Sequence, residues 1–335
     1  MKYTIVGAGA IGGYLGAKLS QAGEEVTFIA RNRNLAAINA RGMTLHLPDG
    51  SMQQAKHVRA VQDPAELGPQ DVVLLTTKAH QLRELVPGLR ALLGPETMVV
   101  SMVNGIPWWY FQKLGGAYDA HQLSSVDPDG ALAAGIEVKH IIASIVYPAA
   151  ELLEPGVVKV IEGNRFTLGE LDNQRTPRIE ALSKSMMAAG FKAPISRDIR
   201  SEIWVKLWGN LTFNPVSALS HATLEDICRY PLTRELAQRM MEEAQRVAEK
   251  LGVIFKVSVE QRIAGAQAVG AHKTSMLQDV EQGRALELEA LLGSVVELAR
   301  ITDSPTPTID AIYAVTSLLS HTMTQQGGKL TVQSA

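Results

Sequence analysis

Gly7-Ala8-Gly9-Ala10-Ile11-Gly12 constrains this chain more than any other feature, because a short β-favouring run at residues 2–6 leads into it and helical apolar spacing at 11–21 follows it. In such a loop the first glycine permits a tight turn, the second lets a pyrophosphate approach the backbone, and the third lets the helix pack closely. Phosphates would rest on the helix N-terminus, which makes Gly7, Gly9, Ala10, Ile11 and Gly12 candidate cofactor contacts. A second β-favouring run at 25–30 completes a βαβ unit. Apolar runs at 71–76, 97–102 and 141–147 extend it into a largely parallel, doubly wound sheet covered on both faces. Residues 157–168 have strand character around Glu162-Gly163-Asn164, which predicts a hairpin or an edge extension of the sheet.

From about residue 197 the texture changes. Helical periodicity dominates at 198–213, 232–251, 257–269, 277–302 and 309–323, with Pro215 expected to break the first of these helices. The expected organisation is therefore an α/β Rossmann-type, doubly wound dinucleotide-binding domain at 1–196, an all-helical C-terminal domain at 197–324 and a flexible tail at 325–335. Composition narrows the function. The formal net charge of -2 removes the bulk electrostatic case for nucleic acid. No apolar run approaches the roughly 18 residues that span a bilayer, and the opening residues lack the pattern of a signal peptide. One cysteine, Cys228, allows no intrachain disulfide and no cysteine-based zinc site, so a cytoplasmic, metal-free protein is expected.

At the end of the second strand, where an NAD enzyme places an acid against the ribose 2′-hydroxyl, the chain reads Ala30-Arg31-Asn32-Arg33. A guanidinium at Arg31 suits a 2′-phosphate, so NADP(H) is the expected cofactor. Lys78 and Asn104 follow predicted strands at the ends where α/β sheets gather ligand contacts. In the helical half, Lys206, Asn210 and Asn214 recur at i, i+4 and i+8, stacking an ammonium and two carboxamides on one helix face among Trp204, Leu207, Trp208 and Leu211. Such a face either is solvated or lines a cleft, because a lysine buried without a partner is costly. Hydride delivered to a 2-oxo carbon leaves an alkoxide, and a cleft lysine can both stabilise that charge and protonate it. Glu287 either holds such an ammonium or binds a substrate hydroxyl, or else belongs to an acidic helix face with Glu281 and Glu289.

Taken together, the glycine loop with Arg31, Thr77-Lys78-Ala79, Val103-Asn104-Gly105, the 202–215 segment and Thr274-Ser275-Met276-Leu277-Gln278-Asp279 with Glu287 resemble the ketopantoate reductase (2-dehydropantoate 2-reductase) family. The resemblance implies NADPH-dependent reduction of 2-dehydropantoate to pantoate, in pantothenate biosynthesis, with Lys206 as general acid. It implies that Asn104, Asn210, Asn214, Ser275 and Glu287 hold substrate or orient the lysine, and that Lys78 and Asn104 lie at the cofactor. His272, where relatives often have Asn, and the apolar Leu224 region depart from the pattern and bear on which oxo acid fits. The segment after Asn104, with Trp108-Trp109-Tyr110-Phe111, is enlarged, and its four aromatics either anchor a long loop or cap a substrate. A reductase of another oxo or hydroxy acid and a non-catalytic NADP sensor are the alternative readings. The amphipathic helices after 232 serve either a homodimer or an internal core.

Overall fold

Runs of consecutive apolar and β-branched residues have no polar face, so the strands they form are covered on both sides. The computed structural model describes residues 1–328 and 330. Its strands are β1 (Lys2–Val6), β2 (Glu25–Ile29), β3 (Met43–His46), β4 (Met52–Ala55), β5 (Val58–Val61), β6 (Val72–Leu75), β7 (Met98–Ser101), β8 (Ile141–Val146), β9 (Ala149–Glu154), β10 (Val157–Glu162) and β11 (Phe166–Gly169). Seven of them form one sheet in the order β11-β8-β7-β6-β1-β2-β5, parallel except where β11 runs against β8. The chain moves outward from β1 to β2 and β5, then returns to β6 on the other side of β1. That reversal opens a crevice beyond the carboxyl ends of β1 and β6, where ligands of doubly wound sheets bind. The glycine loop and Thr76-Thr77 occupy those ends.

The first helices are α1 (Ala10–Gln21), α2 (Asn32–Arg41), α3 (Leu82–Leu89), α4 (Ala131–Gly135) and α5 (Pro177–Ala188). Small residues set how closely α1 lies on its neighbours. A Cβ added to Gly16 would stand 2.2 Å from the Phe28 ring, and one added to Gly13 would stand 2.7 Å from Val158. The second of these contacts belongs to a separate four-stranded sheet, in the order β4-β3-β10-β9. Of the two alternatives for residues 157–168, the edge extension is found and the hairpin around Glu162-Gly163-Asn164 is not. β10 forms its hairpin backward, with β9 around Pro155-Gly156, while β11 extends the edge of the main sheet. The Glu162-Gly163-Asn164 segment therefore links two sheets and closes no hairpin.

By internal packing the chain forms two compact units. The first comprises Met1–Val103, Pro107–Gln122 and Asp129–Ile199, and the second Asn104–Ile106, Leu123–Pro128 and the chain from Arg200 onward. The four adjacent aromatics Trp108, Trp109, Tyr110 and Phe111 are all buried and belong to the first unit, where they anchor the long loop.

The second unit contains α6 (Ile199–Ser220), α7 (Leu224–Arg229), α8 (Pro231–Lys250), α9 (Val259–Ala268), α10 (Ser275–Glu281), α11 (Ser294–Ile301) and α12 (Pro307–Gln325). Two expectations are corrected in this unit. Pro215 lies inside α6 and does not end it; Phe213, Val216 and Ala218 around it are buried, and that packing holds the helix together despite the missing N–H. The continuous helix expected over 277–302 is broken at Gly283, whose φ of 66° is the left-handed conformation that ends a helix. Helical structure resumes with a wide π turn at Glu289–Gly293 before α11. The tail expected at 325–335 lies in large part outside the described residues. Among the described residues no helix is long and apolar enough to cross a membrane.

Candidate active site

In the first unit, Gly7 turns the chain off β1 with φ 112°, and a Cβ there would meet Thr77 Cγ2 at 2.7 Å. Gly12 seats α1 on the loop, since its Cβ would fall 2.0 Å from the Gly7 carbonyl oxygen. Nothing lies within 4 Å of a Cβ built on Gly9, which leaves that side of the loop open. A pocket of ≈ 330 Å³ spreads from this opening, lined by Gly7 and Gly9 of the loop, Arg31 beyond β2, Asn34 of α2, Thr77 beyond β6 and Gln81 before α3, among others. Ala10, Ile11 and Gly12 lie at the start of α1 and do not line the pocket; nor does Lys78, although Thr77 beside it does.

Three observations indicate that this pocket suits an anionic guest rich in hydrogen-bond acceptors and donors. The N-terminus of α1, which starts directly after the lining residue Gly9, has no side-chain cap and no acidic residue in its first turn, so no carboxylate there offsets the positive end of the helix dipole. Thr77 Oγ1 and Asn34 Oδ1 are buried without a hydrogen-bond partner among the described residues. Arg31 is exposed and on the lining, so its charge is available to the guest. In the sequence Thr77 is only part of the Thr77-Lys78-Ala79 motif, with no role of its own, and Asn34 has none. Thr77 stood next to a chosen residue, and Asn34 carried no signal beyond its place one turn into α2, where its amide nitrogen donates to the Ala8 carbonyl at 3.1 Å.

The second unit holds the lysine. Burial fixes α6 firmly: Trp204, Leu207, Trp208 and Leu211 are at most 1% exposed. Trp208 also stacks on Phe255 at 4.0 Å and donates Nε1–H to the Met241 carbonyl at 2.9 Å. With those side chains packed inward, Lys206, Asn210 and Asn214 share the remaining face. Lys206 Nζ donates to Asn104 Oδ1 at 2.6 Å, and Asn104 Nδ2 reaches Glu287 Oε2 at 3.5 Å. Further along α6, Asn214 Nδ2 donates to Ser275 Oγ at 3.4 Å, so α10 joins the same face. Asn210 lies between these two groups on the helix, half-buried. Burial of the Lys206 ammonium lowers its pKa to about 8, against the opposing pull of the Glu287 carboxylate.

Asn104 is placed by the second unit although it follows β7 of the first. Gly105, at φ 83°, passes so close to the π turn that a Cβ would lie 2.0 Å from the Ala290 carbonyl oxygen. That same carbonyl accepts the Ile106 N–H at 2.9 Å. Asn104 therefore belongs to the lysine group and is not on the lining of the glycine-loop pocket. The three glutamates once grouped as an acidic face also separate: Glu281 pairs with Lys273 at 2.7 Å, Glu289 accepts from Tyr313, and Glu287 meets Asn104. The two departures, His272 and Leu224, meet through their backbones, Leu224 N–H donating to the His272 carbonyl at 3.0 Å.

The arrangement thus offers an anion-accepting pocket on a glycine loop and, in the other unit, a desolvated lysine held by a neutral carboxamide and backed by a carboxylate. Comparison with known proteins gives a consistent result. The family described as Ketopantoate reductase PanE/ApbA matches residues 3–173, and the one described as Ketopantoate reductase PanE/ApbA C terminal matches residues 198–320. A 2-dehydropantoate 2-reductase of Mesorhizobium japonicum is 50% identical over 321 residues, covering 96% of this chain and 98% of that relative. A crystal structure from Ralstonia solanacearum, described as that of a candidate ketopantoate reductase, superposes with a TM-score of 0.91 at 37% identity, over 98% of this chain and 99% of that one. D-mandelate dehydrogenase in complex with NADH and anilino(oxo)acetate shares the fold, with a TM-score of 0.82 at 22% identity over 97% of this chain and all of that one.

Proposed function

The chain belongs to the ketopantoate reductase family, and on that premise we propose that it reduces 2-dehydropantoate (ketopantoate) to pantoate with NADPH. The observation that carries the reading is the Lys206 amine, held at 2.6 Å by a carboxamide that adds no charge, with burial lowering its pKa to about 8. An amine in that state gives up a proton readily near neutral pH, which is what a carbonyl oxygen gaining charge requires.

The glycine loop and the amides of α1 would hold the pyrophosphate, Arg31 the 2′-phosphate, and the dinucleotide would answer Thr77 Oγ1 and Asn34 Oδ1, which have no hydrogen-bond partner among the described residues. Lys78, beside this pocket, is assigned to the cofactor as well. A nicotinamide dinucleotide held by these residues would supply the hydride for the carbonyl carbon. Lys206 Nζ donates the proton to the carbonyl oxygen and stabilises the charge that develops on it beforehand. Asn104 Oδ1 fixes the amine, and its amide nitrogen transmits the pull of Glu287, so the carboxylate keeps the lysine oriented without neutralising it at close range. Asn210 and the Asn214–Ser275 pair offer neutral donors and acceptors for the carboxylate and hydroxyl of the substrate, which positions it without competing for its proton.

A substrate panel tests the reading. Loss of NADPH absorbance should be at least tenfold faster, by kcat/KM, with ketopantoate than with other 2-oxo acids; equal rates across the panel would leave the class and remove the named substrate. A cytoplasmic setting and a homodimer built on the amphipathic helices of the second unit belong to the same proposal. Sedimentation should give twice the chain mass of 36.2 kDa, and a monomer would contradict the dimer.

A further inference from the structure

The Glu289–Gly293 turn is a π turn, a widened single turn that helices carry at a cost and often at functional sites. Here the widening is used. It presents the Ala290 carbonyl to the Ile106 N–H at 2.9 Å while Ser294 Oγ also donates to it at 2.9 Å. Through Ile106 and Gly105 this carbonyl seats the backbone that carries Asn104, and one residue before the turn's cap stands Glu287, the second partner of Asn104. The backbone seat of Asn104 and its carboxylate partner Glu287 thus both adjoin this turn. The turn in turn carries a strap. Tyr313 of α12 donates its hydroxyl to both Glu289 carboxylate oxygens, at 3.0 and 3.1 Å. The carboxylate lies over Gly293, where an added Cβ would stand 2.1 Å from Oε2 and 3.4 Å from the Tyr313 oxygen.

We infer that Tyr313, Glu289 and Gly293 are positioning residues for the reaction: they hold the π turn in the shape that seats Asn104 against Lys206 and Glu287. None of the three touches the amine, so they act only through Asn104. The inference deepens the proposed function, yet its first readout does not depend on catalysis. The Lys206–Asn104 hydrogen bond favours the charged amine, so loosening the seat of Asn104 should let Lys206 lose its proton at lower pH.

Two mild variants test it in the full-length enzyme. Tyr313→Phe removes one hydroxyl; Gly293→Ala displaces the Glu289 carboxylate while improving helix propensity, so the fold is retained. In each, the pH midpoint of Lys206 acylation by acetic anhydride, located by mass spectrometry, should fall by about half a pH unit, a shift equal to roughly a threefold change in the protonation constant. The alkaline limb of kcat should move with it. A midpoint that stays put in both variants overturns the inference, including when their melting temperatures drop, since a merely structural strap would do only that. A midpoint that moves while the kcat limb does not supports the positioning role and removes Lys206 as proton donor.

Discussion

The chemistry rests on how a few side chains are solvated. Lys206 is charged below about pH 8 and loses that charge as pH rises through it, so carbonyl reduction should be flat below this value and decline tenfold per pH unit above it. A pH profile of kcat measured with saturating substrates checks the sign; a rate that climbs through pH 8 to 9 would contradict it. At the other pocket, Arg31→Ala should weaken NADPH by roughly tenfold or more and NADH by much less, the loss of one charge-assisted contact to a 2′-phosphate. Fluorescence titration with both dinucleotides reads this directly, and equal losses would rule out that contact.

Elements carry these residues into place, and one buried carboxylate shows how firmly. Glu243 of α8, 5% exposed, accepts the Thr308 N–H at 3.0 Å and the Ile309 N–H at 2.9 Å, answering the free amides at the start of α12. Glu243→Ala should lower stability by about 1–3 kcal/mol, measurable as an earlier midpoint in urea, and an unchanged midpoint would deny the cap its role. Local patterns made much of this architecture legible in the sequence. The glycine loop, flanked by a strand and a helix, announces its own turn, and Lys206, Asn210 and Asn214 share a face by helical arithmetic alone. Contacts set by distant packing were not legible. Asn104 looked like a residue at the end of a sheet strand, but the Ala290 carbonyl claims its loop for the second unit. Pro215 looked like a helix end, and buried neighbours carried α6 past it. Thr77 and Asn34 gain interest only once their oxygens are seen buried and unanswered, which no spacing in the chain encodes.

At the scale of the whole molecule, if the first unit binds the dinucleotide and the second donates the proton, as proposed, the two functions should separate by mutation. Saturating NADPH at about 100 times its Kd should stabilise the wild-type chain by roughly 2.7 kcal/mol, and Lys206→Ala by the same amount, whereas Arg31→Ala should need much more ligand for an equal gain. The most direct test combines that binding measurement with turnover in Lys206→Ala. The predicted result is NADPH affinity within about twofold of wild type and ketopantoate turnover reduced by roughly 10²–10⁴, the usual contribution of a positioned acid. Turnover at the wild-type rate with the same affinity would rule out Lys206 as the proton donor.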